Sequence, residues 1–302
     1  MSEEKRISLV LGSGGARGHA HIGVIEALLA RGYRIESIAG SSMGALIGGL
    51  YAAGKLEAYK EWVLDLKMMG VLSMLDLTFS KAGVIKGGRV LEVLDGMIGD
   101  QLIEDLPIRY TAVATDLKRQ KEVWMTKGPL RQAIRASIAV PSIFTPAEFE
   151  GRMLLDGGIL NPVPVAATVS DMTDLTIAVN LSGESNESPS IPLPEAEVVK
   201  RNSLRDHWNN LVEKAGGMFG GFGGEEELRE DMSFFEIWHE TIETMQNTLA
   251  NYRLAGYPPD LTINIPKDAC RFQDFHKAYE LITLGRIIAT RALEQFEKRN
   301  GN

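Results

Sequence analysis

Cysteine is almost absent from this chain: Cys270 is the single one in 302 residues. One thiol cannot close an intrachain disulfide, and no Cys/His cluster suggests a zinc site. Positive charge is also in deficit. There are 32 Lys and Arg against 40 Asp and Glu, a formal net charge of -8, which argues against broad nucleic-acid binding. Nowhere does an apolar run reach the ~20 residues that span a bilayer. The opening Met1-Ser2-Glu3-Glu4-Lys5-Arg6 is short and charged, with no apolar h-region before the first apolar stretch. No secretory signal is therefore expected, and the chain is expected in the cytoplasm, with peripheral contact at the inner face of a membrane left open. No internal repeat is visible.

What is present suits a soluble enzyme. Hydrophobic residues make up 44% of the chain and charged residues 24%, enough in 302 residues for one large α/β domain or two small ones. Apolar runs alternate with helical patterns, as in a parallel sheet covered on both faces. Ile7–Leu11, 35–39, 110–115, 122–125, 175–181 and 261–265 read as strands. The residues after Gly18 read as a helix with Ile22, Ile25, Leu28 and Leu29 on one face, closed by Gly32. Further helices are expected over 45–53, 56–66, 90–98, 129–137, 204–214, from Glu225 to about Leu254, and over 275–298, where Ile282, Ile287, Ala289 and Leu293 mark the buried face. Lys118-Arg119-Gln120-Lys121 reads as a solvated hairpin turn.

Three segments carry the chemistry. Gly40-Ser41-Ser42-Met43-Gly44 is a G-x-S-x-G pentapeptide between a strand and a helix. A serine in such a turn stands above the sheet edge at a helix N-terminus, where the following N–H can face a developing oxyanion. Gly12-Ser13-Gly14-Gly15-Ala16-Arg17-Gly18 follows the first strand and opens the first helix, so its backbone N–H groups suit an anion. That anion is a tetrahedral oxyanion, a nucleotide phosphate or a dinucleotide pyrophosphate. The dinucleotide fingerprint needs glycine where Arg17 stands, although Glu36 lies at the spacing of a ribose contact. The P-loop pattern needs a lysine that is missing. On the oxyanion reading Arg17 lies near the reacting carbonyl or a phosphate headgroup; the plainer reading is a surface arginine paired with a carboxylate. Asp156-Gly157-Gly158 ends the apolar Met153-Leu154-Leu155, either as an ordinary Asp-Gly turn or as an aspartate aimed into a cleft.

In this order the three motifs resemble the patatin-like phospholipases, and more narrowly the bacterial branch related to neuropathy target esterase. Val140-Pro141-Ser142-Ile143-Phe144-Thr145-Pro146 resembles the proline-bearing segment that precedes the aspartate strand in that family. The likeness is dense over about residues 5–182, recognisable again in Pro259–Ile263 and the last helix, and poor between about 183 and 250. It implies a three-layer α/β/α sandwich with a mainly parallel central sheet. Because the three motifs span the first half and must converge, one domain is expected over residues 1–302, and the composition change after Ser182 with the later glycine run reads as a flexible glycine-rich insertion at about 183–225.

The resemblance further implies a Ser–Asp dyad without histidine: Ser42 as nucleophile and Asp156 as base, with Gly14, Gly15, Ala16 and Arg17 forming the oxyanion hole. Such a site needs neither metal nor cofactor. Its substrate would be a lipid or another acyl ester, cleaved by a phospholipase A or lysophospholipase reaction. An acyl-thioester hydrolase or acyltransferase with the same dyad, and a non-catalytic acyl-lipid-binding module, are the competing functions. Apolar residues on the late helices would permit a homodimer.

A Ser-Asp-His triad would need a histidine after Asp156. His207, His239 and His276 are available, and none sits in a short strand-end loop, so all three read as packing or surface residues. His19 and His21 open the first helix, where His21 is placed to support the glycine loop. Two other segments have paired readings. Met68, Met69, Leu72 and Leu75 either line an acyl channel or belong to the core. Gly216–Gly224, with Met218, Phe219 and Phe222, is either a disordered loop or a lid that dips into lipid.

Overall fold

A computed structural model describes residues 5–66, 88–141, 143–184 and 234–301. The methionine-rich segment 68–77, the glycine run 216–224, the expected helix 204–214 and His207 lie outside the described residues.

The first strand shows how the layers arise. β1 (Arg6–Leu11) is buried from its second residue onward, and its side chains there are apolar on both faces except Ser8, whose hydroxyl bonds Thr173 at 2.8 Å. Successive residues point to opposite faces. Leu11 packs toward α2 (Met43–Ala52), together with Ile38 and Tyr110. Val10 points the other way and joins Ala178, Val163, Val165 and Ala250 in a second apolar layer. Ala250 belongs to α6 (Phe234–Gly256), so helices cover the sheet on both faces.

Among the described residues the sheet has eight strands. Its centre runs β3 (Arg109–Asp116), β2 (Arg34–Ser41), β1, β7 (Leu175–Gly183), β8 (Leu261–Pro266), all parallel. Beyond β3 the pairing turns antiparallel. β4 (Lys121–Met125) forms a hairpin with β3, and β6 (Arg152–Asp156) pairs with both β3 and β5 (Ala147–Phe149). The sheet is therefore mixed, with a parallel core. β5 has only three residues and was not visible in the hydrophobic pattern. The basic tetrad forms the β3–β4 turn as expected, with Gln120 at φ 54°.

α1 (Ala20–Ala30) and α7 (Ala278–Arg299) pack closely because glycine stands at the crossing on both helices. A Cβ at Gly23 would overlap the Ile282 carbonyl, and one at Gly285 would overlap the Ala20 carbonyl. α1 is buried almost all round, whereas Leu29, expected on its apolar face, is 45% exposed. The remaining helices are α3 (Leu56–Asp65), α4 (Gly88–Ile98) and α5 (Leu130–Ser137).

Two compact units can be separated: Met1–Pro189 with Ile242–Asn302, and Ser190–Thr241. The first holds the whole sheet. Of the second, the described part is the opening of α6, Phe234–Thr241.

Candidate active site

β2 ends at Ser41 and α2 begins at Met43, leaving Ser42 alone in the turn. Its backbone sits at φ 55°, ψ -123°, a conformation L-residues avoid and one that costs on the order of 1–3 kcal/mol. The surroundings enforce it. A Cβ at Gly40 would overlap the Gly44 backbone, and one at Gly44 would overlap the Leu11 carbonyl, so strand and helix meet at a distance only glycine allows. The Ser42 N–H donates to Ser137 Oγ at 2.9 Å, and that hydroxyl donates in turn to the Val113 carbonyl at 2.6 Å. Ser137 is fully buried at the end of α5. The first N–H groups of α2, beginning at Met43, have no partner within their own helix.

Asp156 comes from the antiparallel side. The β3–β6 register sets it opposite Ala114, one residue beyond the Val113 that binds Ser137. Its N–H donates to the Ala139 carbonyl at 3.0 Å, and its carbonyl accepts from Thr115 Oγ1 at 2.9 Å. Gly157 lets the chain turn there, since a Cβ would overlap the Val113 carbonyl.

These two elements bring Ser42 and Asp156, 114 residues apart in sequence, into direct contact. Ser42 Oγ donates to Asp156 Oδ2 at 2.5 Å, and the Gly158 N–H donates to Oδ1 at 2.7 Å. Both side chains are almost completely buried. Burial lifts the Asp156 pKa to about 7, although the hydrogen bonds from Ser42 and Gly158 pull it down. A carboxyl group that ordinarily ionises near 4 thus titrates near neutral pH.

The glycine loop lies at the end of β1 and enters a short 3₁₀ turn, Gly15–His19. It is clamped from several sides. The Gly12 N–H donates to the Val179 carbonyl at 3.0 Å and the Ser13 N–H to the Pro162 carbonyl at 2.8 Å. Gly15, at φ 55°, lies against the Phe272 ring. Ala16 donates its N–H to the Phe272 carbonyl at 2.8 Å, so a role as oxyanion donor would require that bond to open. Arg17 is not a surface residue. Its guanidinium is buried, paired with Glu243 of α6 and bonded to the Lys267 carbonyl at 2.6 Å. Its charge is thus committed to a carboxylate.

His19 and His21 are held by contacts within the interior. His21 Nε2 donates to the Gly12 carbonyl at 2.8 Å, which supports the loop as expected. His19 contacts the Tyr59 hydroxyl and packs edge-on against Phe275. Burial lowers both pKa values to about 4, so both rings are neutral at neutral pH. His276 sits in the 3₁₀ turn before α7, and the side chain of His239 lies outside the described residues. Among the described residues, no histidine is bonded to Asp156. Glu36, the candidate ribose ligand, pairs instead with Arg34 and Arg6. Ser137 and Glu243 were missed in the sequence. Neither belongs to a motif, and each becomes visible only through its long-range partner.

Fold and site together define an α/β protein built around a serine at a strand-to-helix elbow and a buried aspartate. The chain belongs to the patatin-like phospholipase family, whose sequence profile matches residues 9–169. An uncharacterized NTE family protein of Mycobacterium tuberculosis is 42% identical over 98% of this chain and 93% of its own length. Lysophospholipase nte1 of Neurospora crassa is 33% identical over 61% of this chain, which corresponds to 12% of that protein. Among solved structures, VipD from Legionella pneumophila aligns with 97% of this chain and 67% of its own, at 15% identity and a TM-score of 0.46. Membership supports a lipid hydrolase activity in general terms. Among the described residues, no helix is long and apolar enough to cross a membrane.

Proposed function

We propose that the protein is a serine lipid acyl hydrolase of the phospholipase A or lysophospholipase type, working through Ser42 and Asp156. The observation that carries this reading is the 2.5 Å hydrogen bond from a conformationally constrained serine to a buried carboxylate whose pKa is lifted to about 7. Ser42 Oγ attacks the ester carbonyl while Asp156 accepts the hydroxyl proton. The negative charge moves to the carbonyl oxygen, where N–H groups of the glycine loop and of Met43 face it. One such donor is worth ~3–4 kcal/mol in related chemistry. Collapse of the tetrahedral intermediate expels the alcohol, which takes the proton from Asp156, and an acyl-serine remains. Asp156 then removes a proton from water as it attacks the acyl carbonyl, and collapse of this second tetrahedral intermediate releases the fatty acid while Ser42 Oγ takes the proton back from Asp156.

The test is a fluorophosphonate label followed by peptide mapping, together with hydrolysis of a lysophospholipid. We expect a single adduct on Ser42, lost in both Ser42→Ala and Asp156→Ala, and no hydrolysis by either variant. An unlabelled folded wild type, or a Ser42→Ala variant that retains most activity, would overturn the reading.

A further inference from the structure

One face of α6 meets both loops of the site. Glu243 pairs with Arg17 of the glycine loop, with side chains 17% and 4% exposed respectively. Three residues on, Gln246 lies beside the Asp-Gly-Gly turn: a Cβ at Gly158 would come within 2.9 Å of Gln246 Nε2 and would also overlap Ser13 Oγ. Gln246, Gly158 and Ser13 therefore pack together where the two loops touch. Next on this face is Ala250, buried against Val10 and Ala178. Arg253 follows, donating to the Leu160 carbonyl at 3.1 Å and pairing with Glu122 at 3.4 Å. Glu122 also accepts from Asn161 at 2.5 Å. Positions 243, 246, 250 and 253 repeat at the three- and four-residue spacing of one helix face.

We propose that Glu243, Gln246 and Arg253 form a positioning stripe that holds the glycine loop and the Asp-Gly-Gly turn at a fixed separation around Ser42. This rests on the hydrolase reading for its catalytic consequence but not for its structural one. Glu243 acts on Arg17 by a buried ion pair, which fixes the 3₁₀ turn and through it the N–H groups of Gly14 and Gly15. Arg253 acts on the carbonyl of Leu160, two residues past Gly158, and so on the segment whose N–H binds Asp156. These residues do not touch the reacting atoms. Their effect belongs on the geometry of the oxyanion donors, hence on kcat rather than on substrate capture. A misplacement of about 1 Å in such a group can lower a rate by roughly a hundredfold.

The test compares full-length wild type, Glu243→Ala, the milder Glu243→Gln and Arg253→Met. Two readouts are taken: hydrolysis of a water-soluble p-nitrophenyl ester, normalised to the serine titrated by fluorophosphonate, and amide hydrogen exchange. We expect Glu243→Ala to lower normalised kcat by roughly ten- to a hundredfold with KM little changed, and to speed exchange over residues 12–19. Glu243→Gln, which keeps a hydrogen bond to Arg17, should lie between the two and covers the case in which the alanine variant does not fold. Arg253→Met should speed exchange over residues 157–161 while leaving residues 12–19 protected. Unchanged exchange in both loops, or an activity loss that vanishes on normalisation, would overturn the proposal. If wild type hydrolyses no ester, the hydrolase reading fails, and the exchange pattern alone decides whether the stripe positions the loops.

Discussion

Ser137 holds Ser42 by its backbone. The Ser137 hydroxyl accepts the Ser42 N–H at 2.9 Å and donates to the Val113 carbonyl at 2.6 Å, joining the elbow to the strand that leads toward Asp156. Ser42 could not stay at φ 55° cheaply without such a brace. In Ser137→Ala both buried partners lose their bond, at a cost of ~1–3 kcal/mol. We expect a lower unfolding midpoint in urea and a reduced kcat, with KM little changed. A variant as stable and active as wild type would refute the bracing role.

Activity should rise with pH through the Asp156 pKa of about 7. Only the ionised carboxylate can take the Ser42 proton, so kcat/KM should fall about tenfold per pH unit below that value and level off above it. A profile flat between pH 5 and 8 (roughly the range over which this carboxylate changes charge) would exclude Asp156 as the base.

Stability should follow a different curve. Asp156 has its pKa raised from 3.8 to about 7 on folding, so its contribution is fully present below 3.8 and is lost as pH rises through 7. His19 and His21 have theirs lowered from 6.5 to about 4, so their contributions are present above 6.5 and are lost as pH falls through 4. Each group changes stability by ~1.4 kcal/mol per pH unit inside its window. Two histidines outweigh one aspartate, and for these three groups stability climbs from pH 4 to about 6.5, then eases toward 7. In Asp156→Asn the climb should steepen and the decline disappear, giving an inactive protein more stable than wild type at pH 8 (about one unit above the carboxylate pKa). Thermal melts across pH would show this; a variant less stable than wild type there would contradict the burial cost.

Gly23→Ala should disrupt the α1–α7 crossing. The added methyl would overlap the Ile282 carbonyl, which is backbone and cannot rotate aside. Overpacking of this kind costs ~1–3 kcal/mol or more. At Gly32, where a Cβ meets nothing within 4 Å but φ is +76°, alanine tests backbone strain alone. Denaturant midpoints of the two variants would separate the two costs, and equal, small losses would argue against close packing at the crossing.

The sequence by itself determined the chemistry-bearing turns. Gly40-Ser41-Ser42-Met43-Gly44 encodes its elbow locally, because a strand, a turn only glycines permit and a helix lie within a few residues of each other. The parallel core strands and the long helices were legible for the same reason: their periodicity is local. Tertiary structure alone decided which residues met. The pairing of Ser42 with Asp156 depends on β6 running antiparallel against β3, and no local pattern states a strand's direction. β5 was too short to read. Met153, part of the apolar run before Asp156, is 66% exposed, whereas Leu154, Leu155 and Asp156 after it are all buried, a difference the apolar run does not announce. Arg17 shows the limit most clearly. The motif put it beside the oxyanion donors, but its charge had to be neutralised once buried, and the carboxylate that does so lies 226 residues away. Desolvation, which lifts the Asp156 pKa and keeps His19 and His21 neutral, is likewise a property of the packed interior and not of any segment.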